Sequence, residues 1–239
     1  MPAQQPILTA QFVDELKHHP ALPQGSWYVI SAAVLCALNC PNEVAELFKY
    51  AIEGEPDTAA QQRVAVRFRE ALIKVIPVSG MPKSIRALLA LKVKTPPELL
   101  HESSHETTRT MDFTKTAPSD VFARGEQFFD TVYGNKSASL MKVMDSCGTP
   151  DLGASARLMY SFFLGNTTVL SAKETMFVTF TGGIATDVQD IVLNHMRGAS
   201  NHGATVAEVN AVRQLAILIC ERAGMKPNGR GWRTDVAHL

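Results

Sequence analysis

A chain of 239 residues with 46% apolar and 19% charged side chains can bury a full core, as one large domain or as two packed repeats. Basic and acidic residues both number 23, which removes any global electrostatic case for nucleic acid or an acidic membrane surface. Small molecules are then the default ligand class.

The first 25 residues lack the basic start, apolar centre and small-residue cleavage site of a secretory signal, so an intracellular location is expected. Four cysteines in a chain of this length make no disulfide framework. The longest apolar run, Val29 to Leu38 behind Trp27-Tyr28, is broken by Ser31 and falls short of the roughly 20 residues that span a bilayer. It predicts a buried core helix. Cys36 and Cys40 are four apart, and a continuous helix would bring them onto one face, but nothing nearby lowers a thiol pKa.

Apolar spacings of three and four predict further helices over Val44–Ile52 and Val64–Val75, the first starting at Pro41 and a stop falling at Gly80. The character changes between Lys94 and Pro118, where Pro96-Pro97 leads into a polar stretch that predicts a linker wrapped over the surface. Within it, His101-Glu102-Ser103-Ser104-His105 satisfies the H-E-x-x-H zinc pattern. The pattern requires a helix docked by an apolar face, and two prolines before it and a threonine run after it supply none. No metal site is expected.

Beyond the linker, periodicity predicts helices over Val121–Val132, Leu152–Phe163, Met176–Phe180 and Val209–Ile219, with Pro150 at a start and Gly134, Gly165 and Gly224 at stops. Ser171-Ala172-Lys173-Glu174 and Thr205-Val206-Ala207-Glu208 are capping boxes. Val188, Ile191 and His195 share one helical stripe, with an imidazole able to shuttle protons near neutral pH or, as periodicity alone favours, bonded structurally. A shift of 145 lays Tyr50 on His195, Ala59 on Ala204, Val64 on Val209 and Ala71 on Ala216, and one slipped residue lays Gly80-Met81 on Gly224-Met225. The pattern reads as an internal duplication.

The run from His195 to Val209, His-Met-Arg-Gly-Ala-Ser-Asn-His-Gly-Ala-Thr-Val-Ala-Glu-Val, resembles the core signature of the carboxymuconolactone decarboxylase family, which includes alkyl hydroperoxidase D-like proteins. Arg124 to Gly134, Pro150-Asp151-Leu152 and Leu170-Ser171 extend the resemblance over about 105 residues, and the N-terminal half looks like a more divergent copy, as in fused two-repeat members of the kind found in fungi. The resemblance implies an all-α fold of two tandem alkyl hydroperoxidase D-like helical repeats packed together. The boundaries are 1–93 for the first repeat, 94–117 for the linker and 118–239 for the repeat that carries His195.

In the peroxidase-like branch, the resemblance would require cysteines at Val188 and Ile191, so thiol-dependent peroxide chemistry is disfavoured. Decarboxylase-type members keep the histidine, matched by His195, and hold a glutamate where this chain has Met176. Glu174, the nearest acid, is taken by its capping box. The implied activity is a cofactor-independent, decarboxylase-like lyase acting on a small carboxylate, lactone or keto acid. His195 is the catalytic residue, and Tyr50, opposite it in the duplicated register, and Glu46, opposite Ile191, are candidate partners. Glu43, Arg197 and His202 are candidate substrate-binding residues. Arg197 suits a carboxylate, although a two-residue step puts it about 200° around the helix from His195. The alternative is a binding or scaffold protein that kept the shell and lost the chemistry. No nucleic acid or membrane partner is expected, and a homo-oligomer is. Ala237-His238-Leu239 fits the small-basic-Leu pattern of a peroxisomal address, with cytoplasm as the other location.

Overall fold

A computed structural model describes residues 6–101, 107–109, 116–226 and 236. It is all-helical, with no strand among the described residues. The H-E-x-x-H stretch after His101 and the terminal tripeptide lie outside the described residues.

The N-terminal half runs α1 (Ala10–Lys17), α2 (Trp27–Ala37), α3 (Pro41–Glu53), α4 (Thr58–Lys74), the single turn α5 (Ile76–Ser79) and α6 (Met81–Lys94). After the connecting stretch come α7 (Pro118–Tyr133), α8 (Ser137–Asp145), α9 (Asp151–Leu158), a π-helical turn over Met159–Leu164, α10 (Ala172–Ala185), α11 (Gln189–Asn201) and α12 (Val206–Arg222). The periodicity missed α1, α6 and α8, which are short or carry exposed apolar residues that blur the stripe.

Two helices organise the core. Every residue of α2 is buried, as is α10 from Thr175 onward. A helix apolar on all sides must be covered on all sides. Accordingly α2 touches α3, α4, α6, α10 and α12, while α10 touches α2, α4, α5, α11 and α12. A polar bridge crosses the same junction: Arg67 on α4 donates to Tyr28 Oη at 2.9 Å and to Glu174 on α10 at 2.5 Å. Glu174 also closes its expected capping box with Ser171. A second capping box forms at Thr205 and Glu208.

The helices on either side of these two have matching lengths. Both α3 and α11 have 13 residues, both α4 and α12 have 17, and each pair starts 148 positions apart. Asn39 and Asp187, also 148 apart, are both left-handed, with φ of 61° and 57°. The starts of α2 and α10 are 145 apart, but α10 runs three residues longer. An offset of 148, taken from these helix boundaries, pairs Leu47 with His195, whereas an offset of 145 pairs Tyr50 with it. A three-residue slip is close to one helical turn, so the apolar pattern that suggested 145 fits either register.

The connecting stretch wraps the surface where it is described. Leu99 is buried, its carbonyl accepts from Arg69, and Arg109 clamps Glu70 on α4 with both guanidinium nitrogens. Asn166 Nδ2 donates to Thr108 O at 2.8 Å, which ties the stretch to the second half.

The π-helical turn has two visible causes. Gly165 N–H donates to Tyr160 O across five residues at 2.7 Å, and Gly165 ends the turn with a right-handed φ of −72° instead of the left-handed stop expected of it. Opposite, Gly125 on α7 lets the turn approach so closely that a Cβ there would lie 2.2 Å from Ser161 Oγ and 2.4 Å from Ser161 Cα. Backbone cannot retreat as a side-chain tip can. Replacing Gly125 by Ala should therefore part α7 from the π turn. We expect a loss of about 1–3 kcal/mol from this overpacking, read as a lower urea midpoint with helical circular dichroism retained.

Candidate functional site

His195 is buried on α11, which lies between α7 and α10. The stripe expected to carry it turns out differently: Val188 and Ile191 are exposed, and Val192, Met196 and Ala199 face the core beside it. Helix α11 starts only at Gln189, after the left-handed Asp187, so Val188 precedes its first turn.

Two phenols meet the imidazole. His195 Nε2 lies 3.3 Å from Tyr160 Oη and 3.4 Å from Tyr133 Oη, and the two hydroxyls are 3.0 Å apart. Tyr133 is the last residue of α7, and Tyr160 is displaced inward by the π turn. His195 Nδ1 is buried with no hydrogen-bond partner among the described residues. An orphaned buried N–H costs more than an unused lone pair, so the geometry favours the proton on Nε2, donated to phenol oxygen.

The cluster is electrically neutral. Burial pushes His195 down to about 4, and burial likewise raises both tyrosines, Tyr160 well above the ordinary phenol range. Burial opposes both the phenolate and the imidazolium, so moving a proton from a phenol to this imidazole is uphill at rest. The imidazole does not titrate near neutral pH, in contrast with the role its ordinary pKa suggested. Neutral O–H and N–H donors packed in a dry site are instead suited to meeting negative charge that develops on a ligand.

Cavities approach this cluster from two directions. One of about 480 Å³ lies among α7, α8, α9 and the π turn, with Phe122, Phe129 and Met141 as apolar walls, Asp145 and Arg157 at its edge, and Tyr160 reached from it. Another of about 350 Å³ is lined by Tyr133, Asn135, Lys136, Asn194, Arg197 and Ser200. His195 itself lines neither, so each cavity meets the imidazole through a phenol. Ser200 Oγ, on the second cavity, is buried without a partner among the described residues.

The residues singled out from the sequence are distributed unevenly around this centre. Arg197 joins it, because the cavity at the end of α7 extends around α11 to reach it. Glu43 does not: its carboxylate accepts from the Ile7 and Leu8 backbone N–H groups, both at 3.0 Å, and so ties down the N-terminal segment. Glu46 pairs with Lys49 at 2.8 Å and Lys94 at 3.9 Å. Tyr50 packs half-buried against the core on the same helix, α3, whose neighbours are α2, α4 and α6. The partners expected from the duplicated register are thus replaced by Tyr133 and Tyr160. His202 ends α11 and packs its ring against Phe128, with centroids 4.8 Å apart and planes tilted by 31°.

Met176 is fully buried in the core, and its sulfur lies 3.1 Å from where a Cβ on Gly198 would stand. The expected acid position is thus filled by packing. Cys36 and Cys40 do not share a helix, since α2 ends at Ala37, and burial raises both thiols. The one signal for the phenols was Tyr133, within the segment that resembles the family's. Nothing in the periodicity marked Tyr160, because a π turn has no signature in an apolar pattern.

Comparison with known proteins found no matching family model and no matching solved structure. Two curated proteins match. One, "Peroxisomal protein 2" of Schizosaccharomyces pombe, is 26% identical over 204 residues, covering 84% of this chain and 89% of the relative. The other, "Peroxisomal protein 2" of Saccharomyces cerevisiae, is 25% identical over 287 residues, covering 98% and 99%. Their names support a peroxisomal location, the first of the two locations the sequence left open.

The depressed His195 pKa has a measurable consequence. Above about pH 6.5 the group is neutral both folded and unfolded, whereas between 6.5 and about 4 the unfolded chain binds a proton that the folded chain does not. Stability should fall as pH drops through that window, by about 3 kcal/mol from this group. Urea midpoints at pH 7 and pH 4.5 check it: the acid loss should be clearly smaller in His195→Gln than in the wild type.

Proposed function

We propose that this chain is a cofactor-independent enzyme of carboxymuconolactone decarboxylase-like type, in which His195 and two phenols manage the proton in the decarboxylation of a small carboxylate or a related lactone or keto-acid conversion. The observation that carries the reading is the buried His195–Tyr133–Tyr160 cluster, with Tyr133 opening onto a cavity that also presents Arg197 and Lys136. The matched lengths of α3 with α11 and α4 with α12 support descent of the two halves from one tandem-repeated unit. A homo-oligomer belongs to the same proposal.

The cations of that cavity suit a carboxylate. The carbon–carbon bond to the carboxyl group breaks, carbon dioxide leaves, and its electron pair passes to a conjugated oxygen as an enolate. An enolate carbon is basic enough to take a proton from a neutral phenol, so no imidazolium is needed. Tyr133 delivers that proton, and Tyr160 and His195 share the resulting charge through their hydrogen bonds until water from the cavity restores the phenol, its hydroxide leaving with the carbon dioxide as bicarbonate.

A second reading has its own observation. The buried Met176 where related enzymes hold an acid, in a cluster without a carboxylate, supports a protein that binds its ligand without converting it.

Incubating purified protein with a metabolite extract and following masses by spectrometry separates the two. The wild type should deplete at least one anion and yield a product lighter by carbon dioxide. Tyr133→Phe should lower kcat/KM by about 100-fold, and Arg197→Ala should act mainly through a raised KM. No depletion by folded wild-type protein would assign the binding role instead.

A further inference from the structure

Net charge is a global count, and α6 departs from it. Its 14 residues carry Lys83, Arg86, Lys92 and Lys94 and no acid. Ser84, Ala87 and Leu91 are buried against the body. On the opposite side Met81, Ile85, Leu89 and Val93 recur every fourth residue, exposed by 47%, 48%, 60% and 81%.

At 100° per residue these four form one outward band, with Lys92 at one margin and Arg86 at the other. Lys83 donates to Ala37 O at 2.6 Å and Arg86 to Asn39 Oδ1 at 2.8 Å, neither of which neutralises a charge. Lys94 lies 3.9 Å from Glu46, an acid already shared with Lys49.

We propose that α6 is a peripheral docking helix for an anionic lipid surface, lying in the interface with its outward band among the acyl chains and its cations at the headgroups. An exposed apolar band bordered by cations alone is the composition of an interfacial helix. A second copy of the chain fits worse, since two α6 helices would bring together eight cations and no carboxylate. The area also argues against a protein partner: the band is roughly 21 Å by 10 Å, about a quarter of the roughly 800 Å² per partner in a stable interface. A bilayer needs no complementary groove. This contact is with the surface, for no helix among the described residues is long and apolar enough to cross a membrane.

Co-sedimentation of the full chain with lipid vesicles tests the proposal. Binding should be about tenfold or more stronger on phosphatidylcholine vesicles containing about 30% phosphatidylserine than on phosphatidylcholine alone, and should weaken with added salt. The double variant Leu89→Asp, Val93→Asp should abolish binding, and Lys92→Glu should weaken it severalfold. Both alter exposed positions, so unchanged circular dichroism and thermal midpoints would show that the fold is retained.

Equal binding to both vesicle types, or full binding by the double variant, would overturn the proposal. A wild-type dimer made monomeric by the double variant, without vesicle binding, would assign the face to a second copy. Capture of polyglutamate without vesicle binding would assign it to an acidic protein.

Discussion

The geometry around His195 depends on a lysine amine placed where no solvent reaches. Lys74, the last residue of α4, is fully buried, and its Nζ donates to Leu164 O at 2.7 Å and Asn166 O at 2.5 Å. Those carbonyls lie at the end of the π turn, where the backbone runs out of internal partners. The arrangement holds in place the segment that carries Tyr160. Burial pushes Lys74 down to about 7, opposed by Glu70, which Arg109 in turn clamps. Removing one member of such a network leaves another charge or carbonyl unmet in a low dielectric, which is where large destabilisations arise.

That anchor joins the two halves on one side of the molecule, and the Arg67–Tyr28–Glu174 bridge joins them on another. Both use residues of α4 to fix elements that follow the connecting stretch. The first half therefore serves the site as a frame, although the phenols and the imidazole all come from the second. In that frame Glu43 holds the N-terminal segment, and Glu46 pairs with Lys49 on its own helix.

The sequence made the helical class, the buried character of α2 and both capping boxes legible, because each rests on local spacing or on a short motif. What surrounds His195 was not legible. Its partners lie 62 and 35 residues away, and the inward turn of Tyr160 depends on a π turn made possible by Gly125 on another helix. The register between the halves was open for a related reason: apolar periodicity is nearly unchanged by one turn, so it does not separate Tyr50 from Leu47 as the residue opposite His195. Arg197 was placed by angle on its own helix, which takes no account of a cavity that reaches around from α7.

The complete burial of α2 and α10 bears on how the chain folds. More than a hundred residues separate two helices that cover one another, so the N-terminal portion, as it is synthesised, covers α2 only on the sides of α3, α4 and α6, and the face against α10 and α12 waits for the second half. Contacts of such sequence separation close late and make folding slow. The nascent chain therefore keeps one side of an eleven-residue buried segment uncovered until the second half emerges.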